Sequence, residues 1–410
     1  MGAFGSVGNR QVTTGQDAGV GIDVGTRMGR GPLVTSDQLA ALRRILWPVA
    51  VYGISRVLLL AMAALAGAID HRSLDFELTL FDGQWYLRLA TSGYPAHASH
   101  AKSTLGFFPL YPLVIRSLAW LCRCSLVSAA LVTSLLGGLV ATILAERLAT
   151  SWWGEHTARR AVLVFCAFPG SVVFSMSYSE CLTIPLALGC LLALGSKRWV
   201  LAGILAGIAT AVEPVALVLV LACLGAAARE LHISGWHARS AQRSLLAPLL
   251  APLGIGAFAI FLWVWTGTPF ATYLAQRYGW YEQSSPLTAL SAPVVRHLVH
   301  APEALLVHLL SWNLWNGVLG GIFLACSIVA LLRVHHELTS GALVLAVGVA
   351  AVTFWSVMTP PNARMLLVAS PAVLVWARRL SRKSFALFVA VESLLLVLAS
   401  FLTFTGRMLP

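Results

Sequence analysis

A chain of 410 residues that is 58% hydrophobic, only 11% charged and +12 in net charge is no ordinary soluble domain, where about a quarter of residues are charged. The excess is arginine, since Lys102, Lys197 and Lys383 are the only lysines, and basic loops against anionic lipid account for it without a nucleic-acid partner. Its seven cysteines follow no metal-ligand spacing, so neither a metal nor a cofactor is expected.

Residues 1–40 are rich in Gly, Thr and Arg and lack the apolar core of a signal peptide, so they read as a disordered cytoplasmic tail. Residues 41–410 read as an all-α, polytopic membrane domain. Apolar runs that approach the ~20 residues of a crossing fall near 45–69, 126–145, 161–176, 181–194, 199–212, 215–228, 245–265, 312–332, 341–357, 365–376 and 385–404, about 11 helices. Prolines at Pro109 and Pro112, with Arg116, Trp120 and Arg123, make 107–121 an interfacial helix rather than a crossing. Short Arg/Lys-rich loops such as 196–198 and 378–383 then fall on one side, as cytoplasmic loops do. The N-terminus is therefore expected inside, the C-terminus and the first loop (70–125) outside, and the protein in a plasma membrane.

That outer loop is the most polar stretch near the first span. Of its acids Asp70, Asp75, Glu77 and Asp82, only Asp82 sits among aromatic residues, Phe81, Trp85 and Tyr86, and only it precedes a glycine, which admits close approach of a substrate. A carboxylate there is suited to general-base work; an ordinary Asp-Gly turn has the same sequence. Trp85, Tyr86 and Tyr111 are candidate substrate contacts or, equally, headgroup-level aromatics. A second outer corner ends in Tyr178-Ser179-Glu180. Tyr178 and Glu180 are candidate substrate contacts there, and Ser179 is expected to cap the following helix. Arg364 opens a late span from the outer side, placed for a lipid phosphate or as a snorkelling anchor. Arg56, inside the first span, needs an acid partner or a polar cavity, and Glu213 before Pro214 has the same status. No Ser/His/Asp, HExxH, phosphate-loop or Asp-x-Asp pattern occurs.

Phe81-Asp82-Gly83-x-Trp85-Tyr86 with Gly93-Tyr94, then Phe107-Phe108-Pro109-Leu110-Tyr111-Pro112, Phe168-Pro169, Tyr178-Ser179-Glu180 and Arg364 resemble the PIG-V-type mannosyltransferases of the GT-C membrane glycosyltransferases. The resemblance implies a polyprenyl-phosphate-sugar donor and makes Asp82 the catalytic base; for such a donor, Arg364 and Arg56 are the candidate cations to stabilise the phosphate. It further implies an inverting transfer of mannose to an extracytoplasmic glycolipid, glycan or protein. Two departures stand out: the family commonly has Arg-Pro where this chain has Glu213-Pro214, and Pro-Arg-Tyr where it has Ala363-Arg364-Met365. The competing classes are a transporter or lipid flippase, which uses the same broken helices and intramembrane charges, and an inactive lipid-binding scaffold.

Overall fold

A computed structural model describes residues 36–98, 101–280, 282, 311–356 and 360–410, with side chains from residue 46 onward. The expected tail, 1–40, lies almost wholly outside them. Residues Arg43–Pro410 form one compact unit.

Among the described residues the chain is helical and contains no strand. Helix α1 (Ser36–Asp70) leads through the short α2 (Leu74–Glu77) to α3 (Asp82–Ser92) and α4 (Leu110–Cys122). The 13 residues of α4 extend about 20 Å, too short to cross a bilayer. They bury Tyr111, Ile115 and Ala119 while leaving Trp120 and Leu121 exposed, as an interfacial helix does.

Helix α5 (Leu126–Ala167) has 42 residues, about 63 Å of helix and twice a bilayer core. It is a hairpin. Gly154, at φ +79°, breaks it, and Thr142 Oγ1 lies 3.8 Å from Cys166 Sγ although 24 positions separate them. Only a reversal at Gly154 brings those atoms together, so two antiparallel segments stand where the sequence implies two spans. The second ends at Ala167, earlier than expected. Proline stops it, and Pro169–Ser175 forms a buried 3-10 corner.

Helix α6 (Glu180–Gly195) leaves that corner at 114°. It is followed by α7 (Trp199–Thr210), a 3-10 turn at Pro214–Leu217 and α8 (Val218–Ser234). Short segments α9 (Arg239–Ser244) and α10 (Leu246–Leu250) run into α11 (Leu253–Thr266), and α12 (Ala271–Leu274) continues as a π-turn to Gly279. Then come α13 (Trp312–Leu332), α14 (Ala342–Trp355), the broken pair α15 (Ala363–Val368) and α16 (Ser370–Arg379), and α17 (Arg382–Phe404). Among the described residues six helices are long and apolar enough to cross a membrane, seven if the bent pair at Pro169–Gly195 is one span. The protein is a multi-pass membrane protein. Large apolar side chains such as Val57, Leu249 and Val264 lie exposed on these helices, which suits contact with lipid rather than water.

Candidate active site

Three helix starts converge. Asp82 is the first residue of α3, Glu180 the first of α6 and Arg364 the second of α15. A carboxylate at a helix N-terminus is favoured by the exposed N–H groups and the helix dipole. Pro360-Pro361 cannot continue a helix, and Asn362 caps the new one by accepting from the Met365 N–H at 3.1 Å. Gly170 lets the Pro169–Ser175 corner touch this turn: a Cβ there would overlap the Ala363 carbonyl.

Arg364 binds both acids. Its Nη1 donates to Asp82 Oδ2 at 2.6 Å, and its Nε lies 3.2 Å from Glu180 Oε1. Its guanidinium also stacks 5.2 Å above the Tyr178 ring. The Asp82 side chain retains about a third of its exposure whereas Glu180 is buried, so Asp82 is the accessible carboxylate of the two.

A second chain of bonds runs alongside. Ser179 Oγ donates to Glu213 Oε1 at 2.6 Å, so the Tyr86 hydroxyl, 2.5 Å away, donates to Ser179 Oγ. Ser179 makes no side-chain cap bond to α6; a buried carboxylate holds its hydroxyl instead. Tyr111 is fully buried, within 3.2 Å of Ser177 Oγ and edge-on to Tyr86 at 5.0 Å. Trp85 stacks on Phe107 and meets Trp280 edge-on at 4.8 Å.

Asp82, Tyr86, Tyr111, Tyr178, Glu180 and Arg364 are thus brought together, with Trp85 beside them. Arg56 is bonded elsewhere. It is 4% exposed, and its guanidinium donates to Ser171 O at 2.6 Å, Ser171 Oγ at 3.0 Å, Ser175 Oγ at 3.1 Å and Ser55 Oγ at 3.2 Å. Of the two expectations, an acid partner or a polar setting, the second is met: a carbonyl and three hydroxyls satisfy the N–H groups and brace the 3-10 corner. Nothing in that set turns it toward a donor phosphate.

Two readings of the outer loop change. Gly83 is buried, and a Cβ there would press on Ser177. The close approach it permits is by the protein's own chain. Glu77, expected outside the aromatic setting, is completely buried, and burial pushes its carboxyl above the usual range; it makes no bond to Arg364. Phe81, named in the motif, is held at φ +58°, a strained backbone for a side chain that the sequence does not signal. That strain sits immediately before Asp82.

A profile of the family described as mannosyltransferase (PIG-V) matches residues 33–283. A GPI mannosyltransferase 2 from Drosophila pseudoobscura pseudoobscura is 31% identical over 111 residues, 24% of this chain and 23% of that protein. The Archaeoglobus fulgidus oligosaccharyltransferase in its apo form overlays with a TM-score of 0.52 at 12% identity, over 88% of this chain and 56% of that one. The same enzyme tethered to an acceptor peptide gives 0.50 over 88% and 55%. The chain therefore spans about half the length of the solved relative and under a quarter of the curated one, and the structural likeness is one of fold, that of the GT-C membrane glycosyltransferases. Asp82, Tyr178, Glu180 and Glu213 all lie within the matched stretch, which covers most of the chain, and the protein belongs to the mannosyltransferase (PIG-V) family.

Proposed function

We propose that the protein is an inverting glycosyltransferase that moves mannose from a polyprenyl-phosphate-mannose donor to an extracytoplasmic glycolipid, glycan or protein. The observation that carries this reading is the Asp82–Arg364–Glu180 arrangement. Asp82 Oδ2 is taken by Arg364, which fixes the carboxylate and leaves Oδ1 for an acceptor hydroxyl. The acceptor oxygen attacks the anomeric carbon, its proton passes to Asp82 Oδ1, and the bond to the phosphate oxygen breaks. Polyprenyl phosphate then departs as the leaving group.

Arg364 has a second task. As the acceptor loses its proton and the phosphate gains charge, the guanidinium between them stabilises both. Among the described residues its Nη2 bonds to no protein group, which suits it to a phosphate oxygen. Trp85, half-buried, supplies a flat surface for a sugar, whereas Tyr86 and Tyr178 are buried and back Ser179 and Arg364 from within. Arg56 acts one layer back, by holding the Pro169–Ser175 corner against α15. The face on which Asp82 and Glu180 lie is extracytoplasmic, given the basic short loops at the opposite helix ends.

The test is transfer from radiolabelled polyprenyl-phosphate-mannose in membranes carrying the wild-type protein, with nucleotide-activated mannose as the alternative donor. Label incorporated from the lipid donor supports the reading; incorporation only from the nucleotide sugar sinks it.

A further inference from the structure

A groove of about 700 Å³ runs along the outside of α6, bounded by α5 on one side and α7 on the other. Its walls are single stripes of these helices: Val140 and Leu144 from α5, Leu182 and Leu186 from α6, Leu201 and Leu205 from α7. Gly189 and Ala193 deepen its floor. One end lies at Cys181, beside Glu180. The other opens at Arg147, Ser196 and Arg198. There it meets a second recess of about 350 Å³, lined by Lys197, Arg198 and Arg243 and sharing Leu201.

The mouth is basic and largely uncompensated. Lys197 pairs with Glu230 at 2.9 Å, whereas Arg147, Arg198 and Arg243 form no ion pair among the described residues. Three cations at the end of an apolar trough form a complementary surface for a molecule with one anionic head and long hydrocarbon tails. A pocket this size holds a substantial part of such a ligand. Its head lies at the end of α6 opposite Glu180 and Arg364, and the 16 residues of α6 put about 24 Å between the two ends. A phosphate at the reacting site therefore belongs to a different molecule.

We infer that the groove and its mouth hold one anionic diacyl phospholipid, bound in the leaflet opposite the candidate active site. The phosphate lies among Arg147, Arg198 and Arg243, and an acyl chain follows the trough toward Cys181. Basic recesses between membrane helices are suited to anionic headgroups. The bound lipid wedges α5, α6 and α7, and so steadies the helix whose far end carries Glu180.

The test uses the full-length protein, delipidated in detergent, with lipid binding followed by native mass spectrometry and thermal unfolding. The probes are dioleoylphosphatidylglycerol, dioleoylphosphatidylcholine, glycerol 3-phosphate and a polyprenyl phosphate. Phosphatidylglycerol should be retained and should raise the unfolding midpoint, while phosphatidylcholine and glycerol 3-phosphate should do neither. Each arginine near an anionic head is worth about fivefold in affinity, so R147Q/R198Q/R243Q should weaken phosphatidylglycerol binding on the order of 100-fold. These side chains are exposed, so the midpoint without lipid should be unchanged. Equal retention by the triple variant, or equal binding of phosphatidylcholine, overturns the inference. Competition in which polyprenyl phosphate displaces phosphatidylglycerol from the wild type but not the reverse overturns it as well, by making the groove a passage for the donor's tail.

Discussion

Arg364 and Asp82, 282 positions apart, meet at 2.6 Å, and the same guanidinium lies 3.2 Å from Glu180. One cation thus orders two acids from two other helices. One edge of the guanidinium donates to Asp82 while Nε holds Glu180 by charge alone, without a hydrogen bond; a lysine ammonium, a single point charge, does not span both acids in this way.

Arg364→Lys should therefore keep the charge but lose one carboxylate, cutting kcat/KM for the donor by about tenfold or more. Arg364→Gln should do worse and also destabilise the fold by about 3 kcal/mol, since the buried Glu180 loses its cation while the partly exposed Asp82 is partly solvated. Donor titrations and unfolding in detergent read both effects. A lysine variant with wild-type kinetics would remove the bridging role.

Ser179 is the junction of the second chain. Ser179→Ala leaves both Tyr86 Oη and Glu213 Oε1 without a partner, and should cost about 1–3 kcal/mol. Glu213→Gln preserves an acceptor for Ser179 and should cost much less. Unfolding midpoints of the two variants decide the matter; a larger loss in Glu213→Gln would mean that its charge serves something other than this chain.

The convergence was partly legible in the sequence. The acids, the aromatics and Arg364 stand out because polar residues beside apolar helices have few places to go. What joins them was not. Glu213 and Ser179 are 34 positions apart, and only the tertiary fold shows that the break at Pro214 faces the start of α6. Arg56 is a related case: an intramembrane charge demands partners, and which ones, here a carbonyl and serines rather than an acid, only the tertiary fold shows. The hairpin in α5 was legible because the basic run near Arg159-Arg160 interrupts two apolar stretches, and Gly154 supplies the turn.

Gly170→Ala tests whether the contact between the 3-10 corner and α15 sets the position of Arg364. The added methyl meets the Ala363 carbonyl, a backbone atom that cannot rotate away. Activity should fall on the order of 10²-fold, in keeping with a displacement of about 1 Å, while the protein still inserts and elutes as a folded species. Unchanged activity would show that α15 can shift without consequence.

Topology is checked with single cysteines placed at Lys102, Arg277, Lys197, Arg239 and Lys383, after removal of the exposed Cys122, Cys124 and Cys326. An impermeant thiol reagent applied to intact cells should label positions 102 and 277 and spare the other three. Labelling at 383 without labelling at 102 would invert the orientation.

Whether Asp82 takes the acceptor's proton is read from the turnover of Asp82→Asn with polyprenyl-phosphate-mannose, measured beside Asp75→Asn. Asn keeps the shape and an acceptor for Arg364 but no longer takes a proton, and loss of a general base costs about 10²–10⁴ in rate. Asp75, exposed in α2, has no bond to Arg364 and serves as the internal control. Turnover should collapse in Asp82→Asn, with the protein still folded, and stay near wild type in Asp75→Asn. Transfer by Asp82→Asn at the wild-type rate would contradict that role for Asp82.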